Sequence, residues 1–227
     1  NDKTNIGDTN FKLFCDLIDE NNLGIGASLP RKEDRRFLLG HGLYVADVHV
    51  PGILDIAFLR SPNSHGWLRG IEIPEGEGDR VFTAGHLTRL NPIRVESSIP
   101  GFKPADHYAL ATNKVRFAGE CIAACLGNNR AEAEDLVNAI FANIEELPAI
   151  NETLLARNDP PSLVHDEWGD NIYVQRDFEG GDIDSVRDAP VVVTRDYRMN
   201  RQSMSPLEPR AVLAYWDKRS DELVVYL

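Results

Sequence analysis

The sequence predicts an α+β fold, and three observations carry that prediction. Residues 114–150 change period twice, from short β-type runs at Lys114–Phe117 and Glu120–Leu126 to a helical pattern and back. Short apolar runs bounded by Pro-Gly, Ser-Pro and Gly-rich clusters recur before and after this stretch, the mark of strands joined by turns. A hydrophobic content of 42% in 227 residues supports a packed core rather than a disordered chain or a fibre.

Taken in order, Asn1–Asn10 is polar. Phe11, Phe14, Cys15 and Ile18 fall at helical spacing, so Phe11–Asp19 is expected to form a short amphipathic helix ended by Glu20-Asn21-Asn22. Gly24, Gly26 and Pro30 mark a loop, and the mixed charges of Arg31–Arg36 read as a solvated face. Leu43–Val48 and Ile53–Leu59 are expected strands around a Pro51-Gly52 turn, followed by strands at Trp67–Ile73 and Val81–Thr83. Asn91–Tyr108 holds three prolines without a steady period and reads as a long surface connection.

The central stretch follows. Gly127-Asn128-Asn129 is a strong turn signal before a helix with Ala133, Leu136, Val137, Ile140 and Phe141 on one face. Glu132, Glu134 and Asp135 sit in the first turn, where the helix dipole favours carboxylates. Asn143 is expected to end the helix, with Ile144–Leu147 leading to Pro148. Asn151–Asp170, with Asn158-Asp159-Pro160-Pro161, reads as an irregular linker. Beyond it, strands are expected at Ile172–Arg176, Val191–Arg198, Ala211–Trp216 and Leu223–Leu227, and Asp182 is a candidate cap for a short helix. The apolar strand at Leu223–Leu227 leaves an open edge, as expected of a truncated domain.

Composition removes several function classes. A net charge of -12 argues against a nucleic-acid surface, which needs clustered Lys and Arg. No run reaches membrane-span length and no signal peptide is visible, so a cytoplasmic protein without a membrane span is expected. Three cysteines make no disulfide framework. Cys121 and Cys125, four apart on a strand, stand about 13 Å apart along the chain, too far for one tetrahedral metal. They and Cys15 read as small packing residues. The six histidines are scattered, and no phosphate cradle, HExxH, CxxC or GxSxG motif is present.

Ordered motifs carry a resemblance. Arg31–Asp47, RKEDRRFLLGHGLYVAD, resembles the "RxEDxRFLTGxGxYxxD" opening of large subunits in the xanthine oxidase family of molybdenum hydroxylases, which includes aldehyde oxidases and carbon monoxide dehydrogenases. Pro51–Leu54 with Phe58–His65 is similar to that family's "PGMLxxxxxRSPxAHA", and Lys114–Glu120 to its "KVRYVGEPVA". Ala131–Asp135 resembles the helix that follows, Gly181–Asp184 the family's "GDVDAAF", and Arg201–Arg210 its "RxxxxPMEPR". Each motif is weak alone, but their order over residues 28–227 is specific. Cys121 stands where the family pattern has proline, which again speaks for packing.

The resemblance implies an N-terminal extension at 1–27, an α/β-hammerhead domain at 28–150, a linker at 151–170 and the start of a molybdopterin-binding domain at 171–227. It implies part of the molybdenum-binding subunit of an oxidoreductase that hydroxylates an aldehyde, purine or other N-heterocycle with water as oxygen source. The complete subunit would carry a molybdenum–pterin cofactor. Partner subunits or domains would carry [2Fe–2S] clusters and FAD. Family catalysis uses a glutamate base in segments outside this sequence, so no catalytic residue and no metal ligand is assigned, and the segment alone is expected to be inactive. Gln202 aligns with a glutamine beside the molybdenum in purine-oxidising members; the other reading is a polar loop residue. Glu208 and Arg210 suggest an ion pair supporting that loop, or else a strand-edge surface pair. Asp34 and Arg35 are candidates for holding the hammerhead against the rest of the enzyme. A non-catalytic hammerhead scaffold is the alternative function.

Overall fold

The computed structural model describes residues 25–26, 31–200, 202–206 and 209–227. The expected helix Phe11–Asp19 and Cys15 lie outside the described residues, as does Glu208. The chain forms two compact units, Pro51–Met199 and a second made of residues 1–50 with 200–227.

In the larger unit the strands are β1 (Asp55–Arg60), β2 (Gly66–Glu72), β3 (Val81–Thr83), β4 (Ile93–Val95), β5 (Ala105–His107), β6 (Lys114–Val115), β7 (Cys121–Gly127) and β8 (Phe141–Glu146). They build two three-stranded sheets, ordered β1-β7-β3 and β6-β2-β8, and a β4–β5 pair, with every pairing antiparallel. The central strand β7 follows a period of two. Ala123 and Cys125 join Val81, Leu136 and Ile140 in one buried cluster, while Ile122 joins Ala111 and Val115 in another. Leu59 and Ile71 pack against both clusters, so the core is continuous between the sheets.

The helix Arg130–Ala139 supplies Ala133 and Leu136 to that core. Its start is built as expected: the Asn129 side chain accepts from the Glu132 N–H at 3.0 Å. Its end is not. Ile140 is already extended, and Asn143 lies inside β8, opposite Gly70 of β2. Helical spacing continues through Ile140 and Phe141, but pairing with β2 satisfies the backbone of Phe141–Glu146 and wins. Asn91–Tyr108 is likewise more than a connection, because β4 and β5 pair within it and Arg94 faces Asp106 across the register at 2.7 Å.

The expected strand at Lys114–Phe117 is only two residues long. The Glu120 carboxylate takes the Arg116 N–H at 2.5 Å and withdraws it from any ladder. The expected linker carries a helix at Thr153–Asn158 and a 3₁₀ turn at Asp166–Trp168. Ile172–Arg176 and Val191–Arg198 form no strand, since neither has a partner strand among the described residues. Asp182 does cap the short helix Ile183–Arg187, accepting from Ser185 N–H at 3.2 Å.

In the smaller unit, Arg31–Arg36 leads into a one-turn helix, Asp34–Leu38, and pairs with itself: Arg31 with Asp34 at 3.1 Å, and Arg36 with Glu33. Leu43–Val48 is not a strand. Asp47 accepts the Tyr44 N–H at 3.0 Å and folds Val45–Asp47 into a 3₁₀ turn, and Tyr44 stacks on Phe37. Strands β9 (Leu213–Asp217) and β10 (Glu222–Tyr226) form an antiparallel hairpin through Asp221, whose φ is 58°.

Candidate functional site

Gln202 lies in an irregular, exposed stretch, and Arg210 is also exposed. Glu208, the expected partner of Arg210, lies outside the described residues. An amide and a guanidinium open to solvent are suitable donors for a polar, phosphate-bearing group such as a pterin cofactor. The stretch offers side chains to such a group without enclosing one. Among the described residues no group of His, Cys, Asp or Glu is placed to hold a metal ion. Cys121 and Cys125 are free thiols, and burial pushes the Cys125 thiol up, which makes it less reactive.

The denser constellation is one that the sequence did not announce. A strap at residues 162–173 lies against the β6–β2 side of the larger unit, and side chains from that side grip it along its length. The Lys114 residue is only 1% exposed, and its ammonium donates to the Leu163 carbonyl at 2.6 Å and to both Asp166 oxygens at 3.0 and 2.9 Å. It also lies 4.6 Å from the centre of the Trp67 ring. Further along, Lys103 Nζ donates to Asp170 at 2.5 Å and to the Trp168 carbonyl at 3.4 Å, and Phe102 meets Tyr173 edge to face. Asn171 closes the strap on itself, accepting from Val164 N–H and donating to the Ser162 carbonyl, both at 2.9 Å.

The strap and the residues beneath it together bound an open cleft of about 640 Å³, lined in part by Arg94, Lys103, Arg116, His165 and Trp168. His165 stacks on Trp168 with ring centres 4.1 Å apart. Burial lowers the His165 pKa, Arg116 adds to that, and Glu167 opposes it, so the imidazole is neutral at pH 7. Two cations of the cleft are matched, Arg94 with Asp106 and Lys103 with Asp170, while Arg116 stands 3.9 Å from Glu120 and its buried Nε has no hydrogen-bond partner among the described residues. This arrangement holds a segment in place. It presents no nucleophile paired with a base. The one serine–histidine approach nearby, Ser162 to His65, has the hydroxyl hydrogen committed to the Pro148 carbonyl at 2.7 Å.

In the sequence Lys114 opens a β-type run and a family motif, His165 is one of six scattered histidines, and Asp166 and Trp168 fall in the expected linker. Nothing local marks them, because the partners of Lys114 stand some fifty positions away.

Comparison with known proteins divides the chain in a way that gives the strap a meaning. Residues 39–148 match the family model for the aldehyde oxidase and xanthine dehydrogenase a/b hammerhead domain. Residues 164–227 match that for the molybdopterin cofactor-binding domain. The chain is 28% identical over 209 residues to the nicotine 6-hydroxylase large subunit of Paenarthrobacter nicotinovorans, a match covering 89% of this chain and 26% of that protein. It is 30% identical over 212 residues to the 6-hydroxypseudooxynicotine dehydrogenase complex subunit gamma of the same organism, again 89% of this chain and 26% of the relative. In structure it resembles quinoline 2-oxidoreductase from Pseudomonas putida 86, with a TM-score of 0.77 and 27% identity over 87% of this chain and 26% of that one. The chain thus spans about a quarter of the length of the curated relatives it matches.

A hammerhead fold followed by a molybdopterin-binding segment defines a molybdenum-enzyme chain of the large-subunit class. The chain belongs to the xanthine oxidase, aldehyde oxidase and carbon monoxide dehydrogenase family of molybdenum hydroxylases. No helix among the described residues is long and apolar enough to cross a membrane.

Proposed function

We propose that this chain is part of the molybdenum-binding subunit of an oxidoreductase that hydroxylates an N-heterocycle, with water as the oxygen source. The observation that supports it most is the succession of hammerhead and molybdopterin-binding matches in one chain, at 39–148 and 164–227. The relatives named for nicotine and quinoline favour a nitrogen heterocycle over an aldehyde, and among heterocycles a pyridine-type ring over a purine. In the complete subunit a molybdenum–pterin group supplies the two-electron oxidation when bound. [2Fe–2S] clusters and FAD on partner subunits or domains carry the electrons away. Gln202 contributes its amide to the cofactor or the substrate, and Glu208 and Arg210 support the loop that presents it. Residues 28–150 serve as the hammerhead, 151–170 as its connection, and 171–227 as the beginning of the cofactor domain. Without the remaining walls of the site, the segment by itself is inactive.

The test is intact mass and metal analysis of the protein purified from its native source. Molybdenum co-purifying with iron, on a chain several hundred residues longer, is the expected result. A native chain ending near Leu227 and free of molybdenum would overturn the reading.

A further inference from the structure

We infer that Lys114 is a positioning residue, a buried clamp that fixes the start of the molybdopterin-binding segment to the hammerhead sheet. The inference rests on the subunit reading above for its consequence, and on geometry alone for the clamp. Lys114 lies inside the hammerhead match and both of its strap partners, Leu163 and Asp166, lie at the head of the cofactor-domain match. Its side chain is 2% exposed whereas that of Asp166 is 56% exposed, so the two ends of the clamp are unequal. The ammonium is built into the hammerhead beneath the strap, over the Trp67 ring, and among the described residues its hydrogen-bond partners all come from the strap.

That asymmetry gives the clamp its direction. A buried ammonium is costly unless paired and hydrogen-bonded. If the strap lifts, Asp166 can be solvated at little cost, but Lys114 is left without its carbonyl and carboxylate. With the strap in place the buried ammonium finds its carbonyl and carboxylate there, which holds the strap in one register. An apolar side chain of similar size would pack there without specifying where the strap sits, since replacing a buried pair by apolar groups tends to spare stability while removing the pairing that sets registry. Lys103 grips the same strap through Asp170 and the Trp168 carbonyl, but it is only part-buried and so imposes a weaker constraint.

The complete subunit, purified with its partners, carries the test. Amide hydrogen exchange is measured for Lys114→Met, Asp166→Ala and the wild type, together with molybdenum content per subunit. In Lys114→Met, loss of the charge-assisted bonds should speed exchange at 163–170 by about tenfold or more. Exchange at 121–127 and 130–139 should stay as in the wild type, and molybdenum content should fall to less than half. Asp166→Ala, which keeps the buried lysine and the packing around it, should shift both readouts the same way and by less, and it decides the matter if Lys114→Met fails to fold. Unchanged exchange at 163–170 would overturn the clamp. Faster exchange there with full molybdenum content would overturn the positioning role. A wild-type subunit without molybdenum would overturn the subunit reading instead, with the exchange result still deciding the clamp.

Discussion

His65 and Ser162 meet across 97 residues of sequence, with Nδ1 of the histidine 3.2 Å from Oγ of the serine, and both atoms converge on the Pro148 carbonyl. The hydroxyl donates to that carbonyl, so the serine oxygen is left to accept from His65 Nδ1–H. This fixes the tautomer and leaves Nε2 buried without a partner among the described residues. The pair is a structural pin that ties the strand-to-strap connection to the second sheet, and the contacts predict its cost. Removing the 5% exposed ring in His65→Ala should lower stability by about 2–4 kcal/mol, and Ser162→Ala by about 1 kcal/mol. Urea denaturation of the two variants checks this. A serine variant as damaging as the histidine variant would show the ranking to be wrong.

Two glycines in strands make opposite predictions. A Cβ on Gly127 would stand 2.5 Å from the Ala133 nitrogen and 2.8 Å from the Asn129 carbonyl oxygen, both backbone atoms at the tight entry to the helix. Nothing flexible can yield there, so Gly127→Ala should cost about 2–4 kcal/mol. At Gly70, where β2 slips register, a Cβ meets nothing within 4 Å. Gly70→Ala should stay within about 0.5 kcal/mol of the wild type. Thermal melts of the pair suffice, and equal shifts in Tm would contradict the steric argument.

These residues also show what the sequence could reveal. The turn at Gly127–Asn129 and the apolar face of Ala133 and Leu136 are local signals, and they placed that helix correctly. Its end was hidden because Ile140 and Phe141 continue the helical spacing, while the deciding fact is a partner strand some seventy residues away. The β4–β5 pair escaped notice because three-residue strands carry no period, and Val191–Arg198 looked like a strand because β-type residues do not reveal whether a partner exists. Lys114 opens a β-type run and Asp166 falls in an expected linker, and nothing local in either stretch shows that the two meet. Gln202 could be singled out only through the resemblance, since an exposed glutamine on an open stretch has no physical signature.

The start of that helix gives a third prediction. Asn129 caps it, and Asn129→Ala should cost about 1 kcal/mol. The Glu132 carboxylate reaches back to the Asn128 N–H at 3.1 Å and to the side-chain amides of Asn128 and Asn129. The Asn128 backbone bond, aided by those amides, lowers the Glu132 pKa. A carboxylate held below its unfolded value stabilises the fold at pH values above the ordinary Glu range, and the contribution is lost as pH falls through the lower, folded value. Glu132→Gln should therefore lower stability at neutral pH and flatten the acid limb, the two proteins converging once pH falls below the folded value. An NMR titration placing Glu132 at or above the ordinary glutamate value would sink the argument.

His165 should make the strap sensitive to mild acid. Burial against Trp168 lowers its pKa, the Arg116 charge adds to this with a smaller push from Lys114, and Glu167, 3.4 Å away, pulls the other way without prevailing. Below the ordinary histidine value of about 6.5, the unfolded chain binds a proton that the folded chain refuses. The unfolded state then holds more protons, so stability rises with pH through this window and falls on acidification until the folded value is passed. Between neutrality and mildly acidic pH the wild type should lose stability that His165→Phe, which keeps an aromatic ring against Trp168, retains. Matched urea titrations across that range read the difference. Parallel curves for the two proteins would mean that His165 titrates as freely in the fold as in the open chain, and that the stacked imidazole is not held neutral.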